Sequence, residues 1–430
     1  MSLVFISYLM SQILTAAVFI TVYAVLIATH RFRILAVWIG VALLVIGKIL
    51  SPLSLVQHVN WNIIGVLWGT SVVAELFIHS KIPAYLAERL IDVSKNLIWA
   101  IILLSCFTGL LSAFVENVST TLIMAPIAFE IAQKLKVSPI PFVLGICLSA
   151  NLQGSATLVG DPPSMILSAN TGMTFNDFFF FQGKPSLFFA VQIGVIASLI
   201  VLYIIFRKHN QPISQVEPER IISKVPGIIL GLLILSLIIA SFLKNKIGNI
   251  SGLICVGYAI GAIIYSMISK KIKTYSVLKD ADWGTLVFLA GIFCLVGALK
   301  DTGVIDLIAN WVGNLTSGNL ILTYIVLVLF SVFISGFVDN IPYFAAIVGI
   351  IFPLSQTYGY PVYLLLFGTI LGTTVGGNIT PIGASANIVG VGLLRKKGYK
   401  IHFLDFVKIG LPFTLAAVTT SCLFIYLFWR

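Results

Sequence analysis

The sequence predicts an all-α polytopic membrane protein made of two inverted repeats. Each repeat has five transmembrane spans, one of them broken, plus one re-entrant helical hairpin. Composition, a self-repeat at one offset and the placement of basic residues predict it. Of the 430 residues, 59% are hydrophobic and 10% charged, and the mean hydropathy is +1.07. Those values fall outside the soluble range and within that of helical membrane proteins.

The self-repeat lies in 112–164 and its image. An offset of 223 (335 − 112) carries Ser112, Phe114, Val115 and Asn117 onto Ser335, Phe337, Val338 and Asn340. It also carries Gly145, Leu148, Gly154, Thr157 and Gly160 onto Gly368, Leu371, Gly377, Thr380 and Gly383, and Glu116 onto Asp339. These nine ungapped identities, with an acid falling on an acid, mark an internal duplication.

Taken in order, spans are expected at about 8–29, 34–50, 60–78, 139–170 (broken), 185–206, 226–243, 250–269, 282–299, 361–395 (broken) and 409–429. The first apolar run is too long for a signal-peptide core and reads as a span. Segments 97–135 and 319–357 each carry a polar tip midway and read as hairpins. Ahead of them, 82–95 and 301–312 read as short amphipathic helices in the interface plane. Repeat 1 then covers 1–206, a polar linker with Pro212 and Pro218 covers 207–225, and repeat 2 covers 226–430.

Charge orients the chain. With the N-terminus outside, the inner segments hold twenty of the 26 Lys and Arg residues, among them Arg31, Arg33, Lys279 and Lys397. The outer side holds six: Lys48, Lys184, Lys244, Lys246, Lys300 and Arg430. This bias places both termini outside and the linker in the cytoplasm of a cell with this protein in its cytoplasmic membrane. The net charge of +11 therefore reads as a topology signal, not as a nucleic-acid surface. The five cysteines lie in apolar runs with no C-x-x-C, so neither a disulfide framework nor a cofactor is expected.

The chemistry concentrates where polar residues and helix breakers interrupt apolar runs. Lipid forbids unsatisfied backbone, so such breaks persist only around a buried or watery site. The first hairpin tip offers Glu116, Asn117, Ser119, Thr120 and Thr121, and the first broken span offers Asn151, Gln153, Ser155, Thr157 and Asp161. The second copy offers Asp339, Asn340, Thr373, Thr374, Asn378, Thr380, Ser385 and Asn387. Free N–H groups at half-helix starts suit an anion or polar solute, whereas carbonyls and carboxylates suit Na⁺. Candidate Na⁺ ligands are Asn117, Thr157 and Asp161 in one copy, and Asn340 and Thr380 in the other.

Glu116, Asp161 and Asp339 are intramembrane acids, which are functional candidates by default. Asp161 follows a glycine and precedes two prolines, and its repeat partner is Ala384. It is expected at the start of a half-helix, stabilised by free N–H groups, and is the candidate for ion coupling. Glu75 sits near a span end, where snorkelling or pairing is expected. No Arg or Lys is expected in the site.

At these motifs the chain resembles the ion transporter superfamily, specifically the group of arsenite permease (ArsB), NhaD antiporter and P protein with citrate-transporter-like domains. The matching stretches are F-V-E-N-V-S-T-T at Phe114–Thr121, G-S-A-T-L-V-G-D-P-P-S at Gly154–Ser164, F-V-D-N-I-P at Phe337–Pro342 and G-G-N-I-T-P-I-G-A-S-A-N at Gly376–Asn387. Ser164 departs from the family's Asn. The resemblance implies a scaffold domain that forms a homodimer and a transport domain of hairpins and broken spans.

The expected function is ion-coupled secondary transport, driven by H⁺ or Na⁺, of a small anion or oxyacid by alternating access. An arsenite- or silicate-type oxyacid or a carboxylate leads as substrate. A Na⁺/H⁺ antiporter and a passive anion channel are the alternatives. An intramembrane aspartyl protease is disfavoured, because Leu158 stands where its G-x-G-D motif needs glycine. With no ATP-binding P-loop, energy must come from a gradient, or from a soluble ATPase partner if the protein is an arsenite pump.

Overall fold

The computed structural model describes residues 2–29, 32–208, 210–212, 219–243, 250–316 and 318–430. Arg31, Lys244, Lys246 and Pro218 lie outside the described residues. In repeat 1 the helices are α1 (Ser2–Ala28), α2 (Arg33–Ile46), α3 (Pro52–His58), α4 (Trp61–His79), α5 (Ile82–Asp92), α6 (Leu97–Ser112), α7 (Asn117–Lys134), α8 (Ile140–Gly154), α9 (Pro162–Thr171) and α10 (Leu187–Phe206). Repeat 2 has α11 (Val225–Phe242), α12 (Ser251–Ser269), α13 (Thr274–Asp280), α14 (Trp283–Asp301), α15 (Val304–Leu315), α16 (Leu320–Ser335), α17 (Asn340–Tyr358), α18 (Val362–Gly376), α19 (Ser385–Lys396) and α20 (Phe403–Trp429). Two-residue strands, Phe180–Phe181 and Lys184–Pro185, pair antiparallel before α10. Among the described residues, nine helices are long and apolar enough to cross a membrane.

The offset of 223 carries helices onto helices. The bounds of α6 map onto those of α16 without a shift, and α9 starts on the image of the α19 start. The caps repeat too. Asn96 accepts from the Trp99 N–H to start α6, and Asn319 accepts from the Leu322 N–H to start α16.

Both hairpins re-enter. Helix α6 runs beside α8 in the same direction: Ile101 and Ser105 face Gly145, and Gly109 faces Ser149 and Gln153. Since α7 ends where α8 begins, α6 and α7 enter and leave at one end, with Glu116 at the turn. In repeat 2, Tyr324 faces Gly368 and Val332 faces Gly376, so α16 runs parallel to α18. The start and finish of that hairpin lie together, where the Thr323 hydroxyl is 3.5 Å from that of Tyr360.

The repeats are inverted. Helices α10 and α20, which share the offset, pack antiparallel. Gly194 lies against Ala417, and the Ser421 hydroxyl donates to the Ala190 carbonyl at 2.8 Å. A two-fold axis in the membrane plane generates that arrangement. Helix α15 turns by 118° into α16, as expected of a segment lying across the chain's spanning direction.

Candidate functional site

The two broken spans are pinned to their hairpin tips by the same hydrogen bonds. Ser112 donates to the Ala150 carbonyl at 2.8 Å and Ser335 to the Thr373 carbonyl at 2.6 Å. Thr157 donates to the carbonyl of Ala113, and Thr380 to that of Gly336. Each pair maps onto the other by 223. Between tip and break the backbones nearly touch. A Cβ on Gly160 would stand 2.8 Å from the Ser112 carbonyl oxygen, and one on Gly383 2.7 Å from that of Gly336. Only glycine allows that approach.

Five candidate residues meet at the centre. Asn151 donates to the Thr374 carbonyl at 2.8 Å and to Asn378 Oδ1 at 3.2 Å. Its own Oδ1 accepts from Asn117 at 3.2 Å and from Asn340 at 3.4 Å. Asn378 donates across the repeats to the Leu148 carbonyl at 2.9 Å. All five are buried. An asparagine both donates and accepts, so one ring of side chains can satisfy itself here while keeping hydrogen-bonding capacity for a solute.

The acids differ in their partners. Glu116 caps α7, accepting from the Val118 and Ser119 N–H groups at 2.9 Å each. Asp339 caps α17 through the Ile341 N–H at 3.2 Å. It also accepts from Ser385 at 3.0 Å and pairs with Arg33 at 3.2 Å. Asp161 is 3% exposed, and its Oδ2 has no hydrogen-bond partner. It nevertheless shares an electrostatic neighbourhood with Glu116 and Asp339.

Two expectations need correction. The site does contain a cation: Arg33, counted above as a cytoplasmic topology charge, reaches Asp339 and Ser385 from the start of α2. The Asp161 carboxylate is not stabilised by α9 N–H groups. It caps nothing with its side chain, because Pro162 and Pro163 remove the first donors.

The remaining candidates hold the frame. Ser155 donates to the Leu152 carbonyl at 3.1 Å, Thr120 to the Val115 carbonyl at 3.1 Å, and Asn387 to the carbonyls of Gly377 and Thr380. Of the Na⁺ candidates, Asn117 is engaged with Asn151 and Thr157 with Ala113. Glu75 is buried: it faces Ser119 and lies with His79 and Asp280, close enough together to hold a metal. Spacing in sequence hides that cluster, since Asp280 comes from the other repeat.

Two clefts flank the centre at opposite ends of α14. One, of about 540 Å³, is lined by Arg33, Ser119, Leu122, Asp280, Trp283 and Ser385. The other, of about 730 Å³, is lined by Gln57, Asn60, Ile166, Gly297, Lys300 and Ala345. The offset relates them: Gln57, Asn60 and Ile166 map onto Asp280, Trp283 and Val389, and Leu122 onto Ala345.

Comparison with known proteins follows this geometry. The chain matches the citrate transporter family CitMHS over residues 23–364 and 325–430. The chain belongs to that family. An uncharacterized transporter of Mycobacterium tuberculosis is 30% identical over 97% of this chain and 98% of its own length. The P protein of Homo sapiens is 24% identical over 95% of this chain and 59% of its own length. In fold, the chain is similar to the Alcanivorax borkumensis YdaH transporter, whose crystal structure is described as having an unusual topology. The TM-score is 0.62 at 14% identity, covering 87% of each chain. The resemblance read from the hairpin and break motifs is thus borne out, and this family member is a multi-pass membrane transporter.

Proposed function

We propose that this transporter is ion-coupled and carries a small anion or oxyacid across the cytoplasmic membrane by alternating access, driven by a H⁺ or Na⁺ gradient. The observation that carries the reading is the pair of repeat-related clefts at opposite ends of α14. An inverted repeat can exchange the conformations of its halves, which converts one open cleft into the other. The cleft reached by Ser119, Ser385 and Arg33 is the one that opens onto the hairpin tips. By the charge pattern it faces the cytoplasm and both termini lie outside.

Arg33 supports an anionic substrate, because a guanidinium forks onto carboxylate or oxyanion oxygens. The central asparagines suit the hydroxyls of a neutral oxyacid or the second oxygen of a carboxylate. Candidate contacts are Asn117, Asn151, Asn340, Thr374 and Asn378, with Arg33 at the mouth. Na⁺/H⁺ antiport without an anion would leave Arg33 only its pairing with Asp339 and Ser385 at the hairpin tip.

Proteoliposomes holding the purified protein test this against citrate, dicarboxylates, arsenite and silicate. Saturable uptake of one of these, driven by a Na⁺ or pH gradient, is expected. Gradient-independent, non-saturating flux would instead describe a channel.

A further inference from the structure

We propose that Glu75, His79 and Asp280 bind one divalent transition-metal ion of the Zn²⁺ class beside the cleft lined by Arg33 and Ser119, and that the bound ion arrests transport by tying the hairpin tip of repeat 1 to α4. The site itself needs no transported solute, whereas the arrest rests on the alternating-access reading above.

Two of the ligands come from one helix turn. Glu75 and His79 are four residues apart at the end of α4 and share one face of it. Asp280 ends α13, and its Oδ2 lies 3.3 Å from His79 Nε2. The three ligand atoms all lie within 4.8 Å of one another. The backbone after Asp280 is pinned to α4, because the Asp282 N–H donates to the Ser71 hydroxyl at 3.0 Å. Asp282 also caps α14 through the Thr285 N–H at 3.0 Å.

Charge at this point favours a cation. Glu75 is 6% exposed, with Asp280 and Asp282 as like-charged neighbours. Among the described residues no ion pair joins Glu75 to a basic side chain. Arg33 and Lys279 line the adjoining cleft, but Arg33 is held by Asp339, and Lys279 forms no ion pair with these acids among the described residues. Buried carboxylates are costly unless they are paired or coordinate a metal.

One imidazole nitrogen and two carboxylate oxygens select the ion. Zn²⁺ holds His nitrogen and carboxylate oxygen at about 2.0–2.2 Å in a tetrahedron, whose edge is then roughly 3.4 Å. The separation of His79 from Asp280 matches that edge, and both side chains are partly exposed and free to rotate onto an ion. Mg²⁺ and Ca²⁺ take oxygen ligands, so the imidazole disfavours them. Glu75 can give one oxygen to the ion and keep the other toward Ser119, in the first turn of α7. An ion there links α4 and α13 to the hairpin tip and stabilises the conformation in which this cleft is open.

The site is one-sided. The offset carries Glu75 and His79 onto Ala298 and Thr302, and Gln57 onto Asp280, so the repeat-related positions offer neither carboxylate nor imidazole. At that end His58 and Asp301 pair at 2.9 Å, with no third ligand in reach among the described residues.

Isothermal titration of Zn²⁺ into the purified, tag-free, full-length protein in detergent tests the site, and Co²⁺ absorbance reports its geometry. Wild type is expected to bind one Zn²⁺ per chain that excess Mg²⁺ does not displace, and to show the visible bands of tetrahedral Co²⁺. His79→Gln and Asp280→Asn, at partly exposed positions, should each weaken binding by about tenfold or more, since even the outer partners of a metal site are worth that much. His58→Gln should bind like wild type. Absence of a stoichiometric site in wild type, or unchanged binding in both ligand variants, overturns the site. In proteoliposomes, buffered free Zn²⁺ on the side to which this cleft opens should slow wild-type uptake and leave uptake by His79→Gln insensitive to Zn²⁺. Binding that does not slow uptake overturns the arrest. Uptake without Zn²⁺ binding overturns the site and leaves the transporter reading, whereas Zn²⁺ binding without uptake of any panel solute does the reverse.

Discussion

Asn151 and Thr374 are 223 residues apart in the chain, the repeat offset itself, and are joined by a 2.8 Å hydrogen bond. Two equivalent positions can touch only where the symmetry axis passes between them. The axis thus runs through the polar centre, and Asn151 is its hub. Substituting Asn151 by Ala leaves Asn117 and Asn340 without their shared acceptor. Loss of transport and about 1–3 kcal/mol of stability are expected, read from thermal unfolding in detergent. Asn151→Asp should also fail, because it removes the donor to Thr374.

Arg33 joins the hairpin tip of repeat 2 to the start of α2 through Asp339 and Ser385. Arg33→Gln is expected to raise the KM of an anionic solute by about tenfold. Arg33→Lys should fall between, since a point charge does not replace the fork. Initial rates of uptake in proteoliposomes measure both. An unchanged KM would restrict Arg33 to holding the tip.

The glycines at the breaks give a paired test. Gly160→Ala and Gly383→Ala push a methyl into backbone carbonyls and should each destabilise by about 1–3 kcal/mol. Gly392→Ala, in α19 with nothing within 4 Å, is the control. It should be neutral or stabilise by up to about 1 kcal/mol. Thermal unfolding of the three variants decides.

Much of the architecture was legible because membranes punish irregular backbone. Asn117, Gly154 and Pro162 inside apolar runs had to mark tips and breaks, and the offset of 223 doubled the signal. Arg33 was not legible: it is 306 residues from Asp339 and reads like any basic residue at a span end. One signal could have found it. The offset places Val256 opposite Arg33, Ala298 opposite Glu75 and Ala384 opposite Asp161. Departures from the repeat mark these three charged residues. The lost capping of Asp161 was also readable, since Pro162 and Pro163 carry no N–H.

Orientation is open to direct labelling. With Cys106, the exposed cysteine among those present, replaced by Ser, an impermeant maleimide should label Leu315→Cys only from outside and Lys397→Cys only from inside. The opposite pattern would invert the assignment of both clefts.

The account stands on the two clefts being alternative routes to one site. Leu122 and Ala345 are repeat partners that line opposite clefts. The decisive measurement is the maleimide labelling rate of Leu122→Cys and Ala345→Cys in sealed vesicles, with and without the solute that the uptake panel identifies. The account predicts that the two rates move in opposite directions when the solute is added. Rates that rise and fall together, as in a pore open at both ends, would contradict it.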